Sequence, residues 1–160
     1  MIVVADSSPL HYLILIEQAE LLQQLYEKVL IPDAVAAELR AAASPRTVRE
    51  WVSNPPSWLR IVEVTAEDRA SVTEQLDLGE RAAIALAERT GAELLLIDES
   101  AGRAEARRRS LRVTGTLGVL RAGAEAGLLD VRDVMSRLQA TNFYVDEALL
   151  RTVFGKWLQE

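Results

Sequence analysis

The chain has 160 residues, of which 49% are hydrophobic and 26% charged, a composition typical of one globular domain rather than a disordered or fibrous protein. It lacks cysteine and has a single histidine, His11, which excludes disulfides, Cys-bound zinc and His-rich metal sites and fits a reducing, cytoplasmic setting. The formal net charge of −6 argues against a strongly basic nucleic-acid binder, and no apolar run reaches the roughly 20 residues of a membrane span.

Short apolar runs alternate with helical patterns along most of the chain. Because the runs lack polar alternation, they predict strands that are buried on both faces, over residues 2–5, 29–31, 59–64, 94–97 and 111–113. Ser8 and Pro9 predict the start of the first helix, and Gly91 predicts the end of another. The helical patterns cover residues 10–17, 34–43, 66–76, 80–89, 99–109 and 116–126. This alternation predicts an α/β fold with a parallel sheet.

The C-terminal part has a different pattern. Two helical apolar stripes follow one another. The first is formed by Val131, Val134, Met135 and Leu138, and the second by Val145, Leu149, Val153 and Trp157, with Leu150 and Phe154 beside it. They predict a helical hairpin that packs on the sheet domain or on a partner. For the second stripe, internal packing, a homodimer and binding of a segment of another protein all remain open.

Two acidic residues follow predicted strands. Asp6 ends the first apolar run and Asp98 ends the fourth. In open α/β sheets, ligands bind beyond the carboxyl ends of the strands, so these carboxylates are candidate ligand-binding groups. Either residue could instead cap the following helix. Since Ser8 is predicted to cap the first helix, Asp6 is left without that role, whereas Ser100 could share the capping near Asp98.

Two further acids lie early in predicted helices. Glu38 stands among small apolar residues, and Glu80 shares a helix face with Ala83, Ile84 and Ala87. Buried carboxylates are rare unless they are paired or bind a metal. The alternatives are a solvated helix acid for Glu38 and a favourable helix-dipole interaction for Glu80.

These four acids would supply only oxygen ligands, and the chain has no cysteine. Such a ligand set favours a hard cation such as Mg²⁺ or Mn²⁺ over zinc. If the four carboxylates converge, their mutual repulsion predicts metal binding or raised pKa values. The matching chemistry is hydrolysis of a phosphodiester, in which the cations activate water and stabilise the leaving oxygen.

Five segments in sequence resemble PIN-domain nucleases, in particular the VapC-like branch with an Asp-x-Gly-Glu motif. They are Asp6-Ser7-Ser8-Pro9, Pro32-Asp33 with Glu38, Asp77-Leu78-Gly79-Glu80, Ile97-Asp98-Glu99 and Gly115-Thr116. The resemblance covers about residues 1–127. The chain departs from the family in having Glu80 where most members have aspartate, and Leu96-Ile97 where many have Thr-x before the fourth acid.

The resemblance implies a three-layer sandwich with a parallel sheet of strand order 3-2-1-4-5. It also implies a single domain over residues 1–160, with a core over 1–127 and a helical extension over 128–160. Its acidic quartet would bind Mg²⁺ or Mn²⁺, with Asp6 and Asp98 as direct ligands, and Glu38 and Glu80 as ligands either directly or through water. The implied activity is endoribonucleolytic cleavage of single-stranded RNA by the toxin of a toxin–antitoxin pair.

Other residues near these motifs are candidates for assisting roles, namely Ser7, Asp77, Glu99 and Thr116. The alternative for Thr116 is the N-cap of its helix. Arg103 and Arg107 are candidate RNA-binding residues; the alternative is a solvated helix face with Glu99–Arg103 and Glu105–Arg109 ion pairs. The main alternative function is a catalytically idle PIN-like module that binds protein or RNA. A phosphatase is a further alternative, although the Asp-x-Asp nucleophile motif is absent.

Overall fold

The computed structural model describes residues 1–159, so Glu160, the last residue of the predicted domain, lies outside the described residues. Five parallel strands form one sheet in the order β3-β2-β1-β4-β5, which confirms the predicted topology. The strands are β1 (Val3–Ala5), β2 (Val29–Pro32), β3 (Leu59–Val62), β4 (Leu94–Leu96) and β5 (Val113–Thr114).

Helices connect the strands and cover both faces of the sheet, as parallel strands require. They are α1 (Ser7–Leu15), α2 (Glu20–Tyr26), α3 (Asp33–Arg40), α4 (Arg46–Ser53), α5 (Ala66–Arg69), α6 (Leu78–Thr90), α7 (Ser100–Arg108), α8 (Thr116–Glu125), α9 (Val131–Gln139) and α10 (Glu147–Leu158). None of these helices, within residues 1–159, is long and apolar enough to cross a membrane.

Alternate residues of β1 belong to two different hydrophobic cores. Val3 and Ala5 pack with side chains of α1–α4 and α8–α10, whereas Val4 packs with side chains of α6 and α7. All three residues are fully buried. This division follows from the alternation of side chains along a strand and produces the predicted three-layer sandwich.

The two C-terminal helices contact each other, and α10 also contacts α8. All four residues of the first predicted stripe are buried on α9, as expected. On α10, however, Leu150 and Phe154 form the buried face, and Leu149 is 45% exposed. Val145, Val153 and Trp157 of the second stripe are partly buried against the same core, so the stripe lies at the edge of the covered face and the residues predicted beside it lie at its centre. The contacts of α10 with α8 and α9 determine this orientation.

Several predicted element boundaries were wrong. The helix predicted over 66–76 ends at Arg69, and the following turns bury Val72 and Leu76. A capping box between Thr65 and Asp68 starts this short helix, and the poor helix formers after it favour turns. No helix was predicted at α2 or α4. In contrast, Gly91 ends α6 in the left-handed conformation (φ +64°), as predicted.

Ser8 is not the N-cap of the first helix. Asp6 occupies the N-cap position, α1 begins at Ser7, and Pro9 lies in the first turn. The Asp6 side chain nevertheless makes no capping hydrogen bond. The prediction that Ser8 is the N-cap was therefore wrong. The conclusion drawn from it holds, since the Asp6 carboxylate does not cap the helix.

Candidate functional site

The carboxyl ends of β1 and β4 lie side by side at one edge of the sheet. The two strands pair in parallel with Ala5 opposite Leu96, and the Asp6 amide donates a hydrogen bond to the Leu96 carbonyl at 2.9 Å. Asp98 follows two residues after the end of β4. Both carboxylates therefore lie at the same edge, where ligands bind in open parallel sheets.

Asp6 is the most buried of the predicted acids, with 4% of its surface exposed. Its Oδ1 atom has no hydrogen-bond partner in the structure. Burial raises the pKa of Asp6 from 3.8 to about 7, and the nearby charges of Asp77, Glu38 and Asp98 act in the same direction. A buried, unpaired carboxylate of this kind is costly for the fold unless it is protonated or has a cationic partner.

Three carboxylates converge on the open space beside Gly79, near the start of α6. A Cβ atom on Gly79 would lie 3.0 Å from Glu38 Oε1, 3.4 Å from Asp6 Oδ1 and 3.6 Å from Asp77 Oδ1. The lack of a side chain at this position leaves the space between the three acids open. Any other residue here would fill it.

Two consecutive serines at the start of α1 each hold one of the predicted acids. The Ser7 hydroxyl donates a hydrogen bond to Glu38 Oε2, and the Ser8 hydroxyl donates to Asp98 Oδ2 at 2.8 Å. Glu38 is otherwise exposed, so the bond from Ser7 orients a carboxylate that would be mobile alone. Ser7 was among the predicted assisting residues, whereas Ser8 was assigned to capping and its contact with Asp98 was missed.

Asp98 is further oriented by Thr116 at the start of α8. The Thr116 amide donates to Asp98 Oδ1 at 2.7 Å, and its hydroxyl donates to Asp98 Oδ2 at 2.7 Å. Thr116 is completely buried. The predicted alternative of an N-cap is wrong, because Gly115 occupies that position. Thr116 instead connects the end of β5 to the acid that follows β4.

Glu80 is buried on α6, as predicted from its neighbours, and is 7% exposed. Asp77 caps this helix by accepting a hydrogen bond from the Glu80 amide at 2.8 Å. Burial raises the pKa of Glu80 to about 8, and its interactions with Asp77 act in the same direction. Its unpartnered Oε2 lies 2.9 Å from where a Cβ of Gly102 on α7 would be, so this oxygen faces α7.

The structure brings the predicted acids to one region without forming a closed ligand set. Within residues 1–159, no three His, Cys, Asp or Glu side chains form a group that could hold a metal ion as they stand. Asp6, Glu38 and Asp77 surround the space at Gly79, whereas Asp98 is held by hydroxyl groups. Glu99 is exposed at the N-cap position of α7.

The predicted Glu99–Arg103 ion pair is wrong. Arg103 is half-buried and donates a hydrogen bond to the Ile97 carbonyl at 3.2 Å. The predicted Glu105–Arg109 pair is confirmed, with its nitrogen and oxygen 2.9 Å apart. Arg107 is exposed on the same helix. Helical spacing alone did not show that the backbone carbonyl before Asp98 would compete for Arg103.

A family model described as "PIN domain" matches residues 2–159. The chain belongs to the PIN-domain family. No curated protein matches it significantly. PIN domains are generally nucleases that act on nucleic acids and use divalent metals. The five-stranded parallel sheet in the order 3-2-1-4-5 agrees with this family.

The donor chemistry of this PIN domain fits a hard divalent cation. Every candidate ligand is a carboxylate oxygen, which suits Mg²⁺ or Mn²⁺. Two of these oxygens, Asp6 Oδ1 and Glu80 Oε2, are buried without a hydrogen-bond partner. A bound cation would satisfy such atoms and remove the cost of burying their charge.

Sequence reasoning missed two features of this site. The bond from Ser8 to Asp98 links residues 90 positions apart, and only the pairing of β1 with β4 brings them together. Gly79 carried a usable signal, since a glycine between two acids near a helix start indicates a close approach of other groups. Neither feature follows from helix or strand periodicity.

Proposed function

We propose that this PIN domain is a Mg²⁺- or Mn²⁺-dependent endoribonuclease that hydrolyses phosphodiester bonds of single-stranded RNA. The observation that carries the proposal is the buried, unpartnered Asp6 Oδ1 beside Glu38 and Asp77 at the carboxyl edge of the sheet. Such a carboxylate weakens the metal-free fold and is suited to a cation. The family supports this reading, since PIN domains are generally nucleases.

In this proposal, Asp6, Glu38, Glu80 and Asp98 hold the cation. When bound, the cation polarises the phosphodiester and neutralises the charge that develops during its cleavage. The raised pKa values imply that, without a cation, Asp6 is only partly ionised and Glu80 is mostly protonated at neutral pH, and that cation binding releases these protons. Cation affinity should therefore rise with pH.

The remaining candidates act by positioning. Ser7 orients Glu38, and both Ser8 and Thr116 orient Asp98 through their hydroxyl groups. Asp77 anchors the start of α6 and thereby Glu80. A fixed arrangement of this kind lowers the reorganisation needed when substrate binds. In the same proposal, Glu99 is an assisting acid at the start of α7.

Arg103 and Arg107 are proposed to contact RNA phosphates. Both lie on α7, directly after the acid that follows β4. With a net charge of −6, the chain as a whole repels nucleic acid, so a local pair of cations is needed near the site.

We further propose a VapC-like toxin whose activity an antitoxin controls in the cytoplasm. The chain would form a single domain over 1–160, with a core over 1–127 and an extension over 128–160. Leu149, which is 45% exposed on α10, supports contact with an antitoxin segment or a second copy of the chain. Light scattering after size exclusion tests the homodimer, which a strictly monomeric protein would rule out.

The activity is tested with a short, fluorescently labelled single-stranded RNA and Mn²⁺. We expect cleavage that EDTA and Asp6→Asn abolish, while Asp133→Asn, an exposed carboxylate on α9, leaves it unchanged. Saturable Mn²⁺ binding should likewise be lost in Asp6→Asn only. RNA that is bound but never cut would favour a catalytically idle module. Hydrolysis of a chromogenic phosphate monoester without RNA cleavage would favour a phosphatase.

A further inference from the structure

A cleft of about 550 Å³ adjoins the acidic site and has Asp98 among its lining residues. One wall comes from α7 and from Gly115, at the turn between β5 and α8. The opposite wall comes from the segment between α9 and α10, with Phe143 and Tyr144, and from Leu149 of α10. This hairpin-loop cleft lies within the usual size range of small-ligand sites.

Arg103 supplies positive charge to the hairpin-loop cleft. It is half-buried, and among residues 1–159 no carboxylate oxygen lies within 4.0 Å of its guanidinium nitrogens. A Cβ on Gly115 would lie 2.9 Å from Arg103 Nη1 and would also collide with Asp98 Oδ1. The glycine backbone therefore leaves room for both groups. Its Nη1 donates to the Ile97 carbonyl, and Asp98 lies nearby without forming a salt bridge with it. The guanidinium therefore has further N–H groups with which it could bind a phosphate.

The opposite wall presents an aromatic ring on an anchored loop. Tyr144 is 89% exposed, although large aromatic side chains are usually at least partly covered. Its neighbour Phe143 packs edge-on against Tyr12, with ring centroids 4.9 Å apart. The Tyr12 hydroxyl also donates a hydrogen bond to Asn142 Oδ1 at 2.7 Å. These contacts tie the loop to α1, so the exposed ring is held near the cleft.

We propose that the hairpin-loop cleft binds one unstacked nucleotide of single-stranded RNA, with its base against Tyr144 and a phosphate against Arg103. This inference rests on the proposed function and adds a substrate subsite to it. An aromatic face and a guanidinium together match the two chemical parts of a nucleotide. An apolar peptide segment would offer no negative charge to Arg103. Because Asp98 borders both the cleft and the acidic site, a bound strand would continue into that site.

The subsite is tested by RNA binding without cleavage. The full chain is titrated in EDTA against a 5′-fluorescein-labelled single-stranded RNA of eight nucleotides, and anisotropy gives the Kd. Tyr144→Ala should weaken binding about 5- to 150-fold, which corresponds to the free energy of stacking one base on an aromatic side chain. Tyr144→Phe, which keeps the ring, should bind within about twofold of the parent. Because Tyr144 is exposed, its replacement should leave the far-UV circular dichroism unchanged.

Arg103→Ala should also weaken binding and lower the slope of log K against log salt by about 0.7, as expected for one lost phosphate contact on a single strand. The matched control is Arg121→Ala, which removes an exposed arginine from the Glu125 ion pair on α8 and should change neither value. Arg103→Lys keeps the charge and should retain the salt slope.

A series of RNAs, each with one abasic position, shows whether Tyr144→Ala loses affinity because one base no longer stacks or because RNA binding is weakened in general. At the position that occupies the cleft, the Tyr144→Ala penalty should disappear, while it persists at the others. An equal penalty on every RNA in the series would overturn the proposal, as would parental affinity of Tyr144→Ala or no RNA binding by the parent chain.

The two proposals fail in different ways. Cleavage of RNA with Mn²⁺, together with parental affinity of the Tyr144 and Arg103 variants, overturns the subsite alone. Binding that depends on both residues, in a chain that never cuts RNA, supports the subsite and refutes the proposed activity.

Discussion

Replacing Asp6 with asparagine should stabilise the metal-free protein above neutral pH. Burial raises the pKa of Asp6 from 3.8 to about 7, and one pKa unit corresponds to about 1.4 kcal/mol. Keeping this carboxylate ionised in the fold therefore costs about 4 kcal/mol. Because the folded protein holds this proton more tightly than the unfolded chain, its free energy of unfolding falls as the pH rises from about 4 to about 7.

Urea unfolding in EDTA at pH 4.5 and pH 8 measures this effect. At pH 8, we expect the free energy of unfolding of Asp6→Asn to exceed that of the parent by about 2–3 kcal/mol. The full gain of about 4 kcal/mol is not reached, because burying an amide without hydrogen-bond partners costs about 1–2 kcal/mol. At pH 4.5 the gain should vanish or reverse, because Asp6 is then protonated in the parent fold. Added Mn²⁺ should narrow the difference at pH 8 by stabilising only the parent.

The control is Asp133→Asn, which removes an exposed carboxylate paired with Arg137 and should change stability by less than about 1 kcal/mol at either pH. A stability difference between Asp6→Asn and the parent that is equal at pH 4.5 and pH 8 would refute the reasoning. It would mean that Asp6 titrates alike in the folded and unfolded states.

Three further substitutions test the site and its support. Gly79→Ala places a methyl group 3.0 Å from Glu38 Oε1 and should weaken Mn²⁺ binding in calorimetry about tenfold, the size of effect expected when the surroundings of a metal ligand are disturbed; unchanged affinity would show that this space is not the cation site. Thr116→Val removes a completely buried hydroxyl that donates to Asp98 and should lower the free energy of unfolding by about 1–3 kcal/mol in urea, whereas no loss would show that this bond contributes nothing. Phe154→Ala empties a site that is 1% exposed and should cost about 3–5 kcal/mol, seen as a Tm lowered by roughly 10 °C; a smaller change would mean that α10 packs loosely on the domain.

The strands were the most predictable elements. Runs such as 94–97 are apolar without alternation because both faces of a central parallel strand are covered. Four of the five runs share most of their residues with an observed strand, whereas β5 overlaps the predicted run 111–113 only at Val113. The helices were predicted less well. In α4, Val48 and Val52 are both buried and four residues apart, a signal that was present but short. After Arg69 the chain leaves the helix and runs through turns to Asp77, the N-cap of α6. The periodicity of the apolar residues does not reveal these turns.

The acids of the site were identified from their positions, but their environments were not. Asp6 and Asp98 follow strands, and that placement alone brings them to one edge of the sheet. The hydroxyl groups that bind Asp98 come from distant segments. Arg103 binds the Ile97 carbonyl, six residues away, instead of Glu99. Such contacts compete with local helical pairs, and their outcome depends on the geometry of the packed chain.

The order of apolar runs and acids along the polymer was sufficient to determine an α/β chain with carboxylates at its strand ends, because periodicity and strand-end placement are local properties. Only the tertiary structure decided that Asp6 loses water while Glu38 stays exposed, and that the loop before α10 lines the same cleft as Arg103. Desolvation and the charge felt by a group depend on the atoms around it in space, and most of those atoms belong to residues far away in sequence.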